Sequence, residues 1–236
     1  MNAPRPLVVV PAFNEAKSVA NVINELKLTG LSVLVVDDGS VDETSQIAKE
    51  AGANVLRLPI NLGVGGALRA GFRFAIEHGY SSIVQVDADG QHPTHQIPEL
   101  EREAASHGAH LVIGSRYLSS DATLIQSGSR RFAMRLLGWV VSRAVGRRIT
   151  DSTSGFRLIR EPLLSAFAAQ FPSYYLGDTY EATVMAARAG YKIVEVPAAL
   201  RPRASGASTA SSVQSVALIA KVLVVTLLRL SPHLRR

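Results

Sequence analysis

The stretch Leu7-Val8-Val9-Val10, closed by Pro11, and its successor Ser32-Val33-Leu34-Val35-Val36, which runs into Asp37-Asp38-Gly39-Ser40, decide how this chain folds. Each is a short aliphatic run without polar alternation, as expected of a strand buried on both faces. Between them, Val19, Val22, Ile23 and Leu26 recur at helical spacing within Ser18–Leu28. The alternation continues with a helix through Gln46, Ile47 and Glu50, a strand at Val55–Leu58, a helix at Ala67–Glu77 and a strand at Ser82–Val86. Strands separated by helices ask for parallel pairing through crossovers. The expected fold class is therefore α/β, a Rossmann-like, mostly parallel central sheet with helices on both faces. Ligands of such sheets gather beyond the carboxyl ends of the strands, where the polar segments of this chain fall.

Beyond Gly114-Ser115-Arg116 the pattern loosens. A polar loop is expected over Leu118–Gly128, a helix with a basic start over Arg130–Val145, and a loop over Asp151–Arg157 that enters a strand. Tyr180–Ala189 reads as a helix, Ile193–Val196 as a last strand, and Arg201–Ser212, rich in Arg, Ser, Ala and Gly, as a linker. Val213–Leu230 is apolar, interrupted mainly by Gln214, Ser215, Lys221 and Thr226. As a helix it would run roughly 27 Å, close to one hydrocarbon thickness. Lys221 near its middle argues against a span, and Arg229, His233, Arg235 and Arg236 suit an anionic surface. The expectation is an α/β domain over 1–208 and a membrane-associating or partner-binding helix over 209–236. Packing of that helix on its own domain or in a homo-oligomer is the alternative.

The 236 residues are 47% apolar and 19% charged, enough for a sizeable core. A formal net charge of +6 favours an anionic partner. The absence of cysteine excludes disulfides, thiolate metal sites and cysteine nucleophiles. The start, Met1-Asn2-Ala3-Pro4-Arg5-Pro6, has no long apolar stretch, so a cytosolic location is expected. Basic residues are scattered and accompany no nucleic-acid-binding motif, so no nucleic acid partner is expected.

Asp87-Ala88-Asp89 leaves the apolar strand Ile83–Val86. Alternate residues at a strand end aim two carboxylates at one point, a hard oxygen set for Mg²⁺ or Mn²⁺ to which Gln91 and His92 are near enough to add. Taken alone, the same residues suit a solvated turn. Asp37-Asp38 ends another strand of the sheet, and two acidic clusters on one edge call for a cation or for hydrogen-bond donors. Gly63-Val64-Gly65-Gly66 reads as a flexible turn opening a helix at Ala67, whose N-terminus could receive an anion. It is neither a P-loop nor a G-x-G-x-x-G motif.

The ordered set Val10-Pro11-Ala12-Phe13-Asn14-Glu15, Val36–Ser40, Asn61–Ala67, Asp87–His92 and Gly114–Arg116 resembles family 2 of the glycosyltransferases. Arg130-Arg131, Asp151–Arg157 and Arg203–Ser208 are similar to the branch that makes dolichyl- or polyprenyl-phosphate sugars, and Leu176–Glu181 with Arg201-Pro202-Arg203 resembles its actinobacterial enzymes. The resemblance implies a GT-A fold and an inverting, metal-dependent transfer from a nucleotide-diphosphate sugar, a UDP-sugar before GDP-mannose, to polyprenyl phosphate. It implies that Pro11, Asn14, Glu15, Asp37, Asp38, Gly66, Asp87 and Ala88 bind the nucleotide sugar. Asp87, Asp89 and Gln91 would hold Mg²⁺ or Mn²⁺. Arg116, Arg130, Arg131, Ser154 and Arg203 would meet the acceptor phosphate, and Asp89, Arg116, Arg130, Arg131 and Glu181 would be catalytic. The implied setting is the cytosolic face of the plasma membrane, with the enzyme bound peripherally to the membrane or to a small integral-membrane partner, supplying cell-envelope glycans. Transfer to a sugar hydroxyl is the alternative and needs a general base, for which Asp151, Asp178 or Glu181 are candidates. A non-catalytic nucleotide-sugar-binding module is the second alternative.

Overall fold

The computed structural model describes residues 5–118, 142, 149–172 and 178–201. Arg130, Arg131, Arg203 and the apolar stretch Val213–Leu230 lie outside them. The elements in chain order are β1 (Leu7–Ala12), α1 (Val19–Lys27), β2 (Val33–Asp37), α2 (Thr44–Glu50), β3 (Asn54–Arg57), α3 (Gly63–Glu77) and β4 (Ser82–Gln85). A short 3₁₀ turn at Thr94–Gln96 leads into α4 (Ile97–His107), followed by β5 (Leu111–Ser115), β6 (Arg157–Arg160), α5 (Leu163–Gln170), α6 (Asp178–Arg188) and β7 (Ile193–Pro197).

The seven strands form one sheet in the order β3-β2-β1-β4-β6-β5-β7. The first four pair in parallel, as do β5 and β7, whereas β6 runs antiparallel to both β4 and β5. The expected α/β sheet is therefore present, with one reversed strand wedged into it. That reversal has a positional consequence. Arg157, the first residue of β6, sits opposite Gln85, the last of β4. The loop preceding β6 is thus delivered to the same edge where β1, β2, β4 and β5 end.

Both faces of the sheet are covered, which is why its strands read as unbroken aliphatic runs. Leu7 and Val9 with Leu34 and Val36 pack on Leu68, Phe72, Leu164 and Phe167 of α3 and α5. Val8 and Val10 with Val33 and Val35 face the opposite way, in the cluster holding Val19, Val22, Ile23 and Leu26 of α1 and Ile97 and Leu100 of α4. Helix α3 lies especially close to the sheet. A Cβ on Gly71 would stand 2.5 Å from a methyl of Val9, so only glycine fits there.

Pro11 occupies a strand without disturbing it. The amides of Val8 and Asp38 show the alternation across β1 and β2: Val8 N–H donates to Ser32 and Asp38 N–H donates to Ala12. The position of Pro11, odd relative to Val8, faces the β4 side, where register ends at Val9. Its missing N–H falls where no partner strand remains.

The glycine cluster departs from expectation. Helix α3 begins at Gly63 rather than at Ala67, so Gly63–Gly66 form its first turn. Glycine is a poor helix former, by about 1 kcal/mol against alanine. Here the start is held from outside: Asp38 Oδ1 accepts the Leu62 N–H at 2.8 Å, and Asn61 Oδ1 accepts the Gly63 N–H at 3.0 Å. The anion received at this N-terminus is Asp38 itself. Helices α4 and α5 and the separate strand β5 were not anticipated by periodicity.

Candidate functional site

The acidic edge is built from three loops. After β1, Asn14 adopts φ 56°, a left-handed conformation tolerated by Asn. Its amide donates to Ser40 Oγ at 2.9 Å and its side-chain oxygen accepts the Val41 N–H at 3.0 Å. The neighbouring Glu15 N–H donates to Thr44 Oγ1 at 2.8 Å, and the Glu15 carboxylate accepts the Ser18 hydroxyl at 2.5 Å. The loops after β1 and β2 are therefore stitched into one wall, with Pro11 half-buried at its base.

Asp37 and Asp38 differ in their duties. Asp37 is fully buried and accepts the Ser40 N–H at 2.8 Å and the Ser45 hydroxyl, with Arg57 Nε at 3.8 Å. It fixes the turn and the start of α2. Asp38 is also buried, and burial pushes its carboxyl upward, aided by the Asp37 charge and opposed by the amides of Leu62 and Gly63. Gly66 is half-buried in the first turn of α3, and an added Cβ would meet Leu62 Cβ at 2.4 Å.

The second carboxylate pair leaves β4. Asp87 is the more accessible, its side chain 39% exposed, while Ala88 and Asp89 are buried. His92 is buried beneath Asp87: its Nδ1 accepts the Asp87 N–H at 3.0 Å, which leaves the proton on Nε2, 3.5 Å from Asp87 Oδ2. His92 thus orients the Asp87 carboxylate. Asp89 Oδ1 accepts the Gln91 N–H at 3.0 Å, and the Gln91 amide group donates to the carbonyl of Arg201 at 3.2 Å. Gly155, in the loop entering β6, presses on Asp87: a Cβ there would lie 2.6 and 2.8 Å from the two carboxylate oxygens.

Among the described residues there is no group of three or more His, Cys, Asp or Glu side chains able to hold a metal ion. The residues nevertheless fit Mg²⁺ or Mn²⁺, since such ions take one or two carboxylates and complete their shell with water and substrate phosphates. The glycine beside Asp87 keeps open the space a third protein group would fill.

Cationic groups flank this pair. Arg116, which follows β5, donates through Nε to Asp151 Oδ2 at 2.7 Å and through Nη2 to Asp151 Oδ1 at 2.8 Å, with Nη2 also 2.7 Å from Thr153 Oγ1. Burial alone would lower its pKa, but the hydrogen bond and charge of Asp151 override it and hold the guanidinium cationic. The Asp151 carboxyl, though fully buried, is held below the usual carboxylate range by Arg116. Arg116 was expected to reach for a phosphate; the fork is largely engaged with Asp151, so it acts as a fixed charge. Asp151, a candidate base on sequence, is held deprotonated and enclosed, which unsuits it for taking up a proton. Ser154 is buried, its hydroxyl accepting the Phe156 N–H at 3.3 Å, so its side chain serves the loop. Glu181 is half-buried on α6.

Two charged residues escaped sequence reasoning. Arg157 is fully buried and donates to the carbonyls of Ser154, Thr179 and Ser152 at 2.5, 2.8 and 2.7 Å. Burial pushes its pKa down to about 10, countered by Asp151, Asp87 and Glu195, so it remains a cation behind the acidic pair at neutral pH. Glu195 of β7 accepts the amides of Thr150 and Asp151, each at 2.8 Å. Its carboxyl is pushed up by burial. The one available signal was a charge at an otherwise apolar strand position in each case.

Paired carboxylates thus leave β2 and β4 of a doubly covered sheet, with fixed guanidinium groups on the same edge. The chain matches "Glycosyl transferase family 2" over residues 7–167 and belongs to that family. It is 34% identical to the undecaprenyl-phosphate mannosyltransferase of Micrococcus luteus over 88% of each chain. It is 32% identical to the polyprenol monophosphomannose synthase of Mycolicibacterium smegmatis, over 88% of this chain and 81% of that one. Among solved structures, glucosyl-3-phosphoglycerate synthase from Mycobacterium tuberculosis, in complex with Mn²⁺, UDP and glucosyl-3-phosphoglycerate, shares the fold. Its TM-score is 0.69 at 22% identity, covering 96% of this chain and 80% of that one. Among the described residues no helix is long and apolar enough to cross a membrane.

Proposed function

We propose that the protein transfers a hexosyl or N-acetylhexosaminyl group, with inversion, from a nucleotide-diphosphate sugar to polyprenyl phosphate. The observation that carries this reading is the open Asp87 carboxylate, oriented by His92 and left uncovered by Gly155, with the locked Arg116 charge nearby. The similarity to two lipid-phosphate mannosyltransferases supports the acceptor. The loops carrying Pro11, Asn14, Glu15, Asp37, Asp38 and Gly66 would hold the nucleoside, and Asp87, Asp89 and Gln91 the metal.

When bound, Mg²⁺ or Mn²⁺ offsets the charge that develops on the departing nucleoside diphosphate. The chain's own share is placement and charge. Asp87 and Asp89 leave β4 on a loop fixed by His92, so the donor diphosphate is received in one orientation. Arg116 and Arg157 supply positive potential without needing to reorganise. A phosphate monoester, with a second pKa of about 6, is mostly dianionic at neutral pH. Its oxygen forms the bond to the anomeric carbon as the bond to the diphosphate breaks, and no proton has to be removed. The engagement of Asp151 by Arg116 removes one of the three candidate bases that a sugar hydroxyl acceptor would require. Arg130, Arg131 and Arg203 complete the proposed acceptor site. Residues 209–236 are proposed as the attachment to the inner membrane face or to a membrane partner, and the lipid-linked product would feed cell-envelope glycan synthesis.

The test is transfer of radiolabel from a panel of UDP-sugars and GDP-mannose to polyprenyl phosphate with Mn²⁺ or Mg²⁺. The expected result is an organic-extractable, mild-acid-labile product from the wild type and loss of about 10²-fold or more in Asp89→Ala. UDP-sugars rank first as donors, with GDP-mannose the alternative. Transfer only to a soluble glycan would overturn the acceptor assignment.

A further inference from the structure

The Asp87–Gln96 loop is gripped from outside by the chain leaving β7. Arg201 N–H donates to the Gln91 carbonyl at 2.9 Å, while the Gln91 side chain donates back to the Arg201 carbonyl at 3.2 Å. Two residues earlier, Ala199 N–H donates to Gln96 Oε1 at 3.1 Å. The same loop is held on its other flank by α1: Glu25 Oε2 accepts the Thr94 hydroxyl at 3.2 Å, and Glu25 Oε1 accepts Arg201 Nη1 at 2.8 Å. Glu25 therefore joins α1, the carboxylate loop and the β7 exit, three pieces far apart in sequence.

We infer that Arg201 and Glu25 form a clasp that positions the Asp87–Gln91 loop for metal binding; this rests on the metal-dependent reading above. The two side chains are 42% and 39% exposed. A pair so exposed adds little to folding, so its loss leaves the protein folded and shows itself in the loop. Arg201 and Glu25 are positioning residues that act through Gln91 and Thr94.

The experiment titrates Mn²⁺ into the full chain in detergent by electron paramagnetic resonance, with UDP or GDP present, whichever the wild type binds. Glu25→Gln and Arg201→Met are each expected to weaken Mn²⁺ binding about two- to fivefold, the range an exposed pair can supply. The reciprocal exchange, Glu25→Arg with Arg201→Glu, should recover the share owed to the ion pair but not the share owed to the Thr94 hydroxyl, which then has no acceptor at position 25. Nucleotide affinity without metal and the melting temperature should not change. Glu99→Gln, which removes a surface partner of Arg102 on α4, is the control and should bind Mn²⁺ as the wild type does. Equal Mn²⁺ affinity in wild type and clasp variants overturns the inference and leaves the metal reading intact. A wild type that binds no Mn²⁺ removes both.

Discussion

Gly155→Ala separates the chemistry of the site from the stability of the fold. The new methyl would arrive 2.6 Å from one Asp87 oxygen and 2.8 Å from the other, where ordinary contact begins at 3.4 Å. The carboxylate must withdraw by about 0.8 Å, and it can, being the end of a partly exposed side chain. The fold should tolerate the change, since trading Gly for Ala at a compatible site stabilises by about 0.4–1 kcal/mol through the unfolded chain. Misplacement of a reacting group by about 1 Å costs on the order of 10²-fold. The expectation is a fall in kcat/KM of about 30- to 100-fold, or about 2–2.7 kcal/mol of transition-state stabilisation. The assay is steady-state lipid-linked sugar formation beside thermal unfolding. Wild-type kcat/KM would refute the assignment of Asp87 to the donor site, and a collapsed melting temperature would show that Gly155 is needed by the fold instead.

Asp151→Asn should destabilise the protein by about 3 kcal/mol at pH 7, because it strands the Arg116 guanidinium against a neutral partner. The Asp151 carboxyl is depressed in the fold, so its contribution is present above the unfolded value and is lost as pH falls through the folded one. Denaturant curves of wild type and variant should therefore converge on acidification below about pH 4. Gly71→Ala puts a Cβ 2.5 Å from Val9 Cγ1 and 3.2 Å from Val36 Cγ2. It should cost about 1–3 kcal/mol by overpacking, read as a lower denaturation midpoint with nucleotide affinity unchanged.

What was legible in the sequence was the part governed by local pattern. Leu7–Val10 and Ser32–Val36 announce strands because both of their faces are covered, and Val19, Val22, Ile23 and Leu26 announce a helix that buries one stripe. Helix α5, Leu-Leu-Ser-Ala-Phe-Ala-Ala-Gln at 163–170, is apolar nearly all round and offers no period to find. The place of β6 between β4 and β5 is a long-range pairing, invisible to any window of sequence. Asp87 and Asp89 could be singled out because they follow an aliphatic strand end. The division of labour among carboxylates could not: Asp37 staples its own turn, Asp38 caps α3, and Asp151 is consumed by Arg116. Nothing local marks which acid is spent on structure, since each partner lies elsewhere in the chain. The glycine cluster misled for a related reason, as its helix is started by Asp38, 25 residues before Gly63.

The reversed strand bears on how such a protein can change over generations. Because β6 runs antiparallel to β5, the segment between them leaves the sheet and rejoins it at one edge. Its two ends are buttoned together by Arg116 on Asp151 and by the hydroxyls of Ser115 and Thr150, 2.8 Å apart. With the ends so joined, lengthening the stretch between them costs only a slow logarithmic loss of entropy. Insertion, deletion or exchange there should leave the strands and the loops after β1, β2 and β4 in register. One antiparallel strand thus gives the fold a closed detour, free to differ in length on the very edge where the paired carboxylates stand.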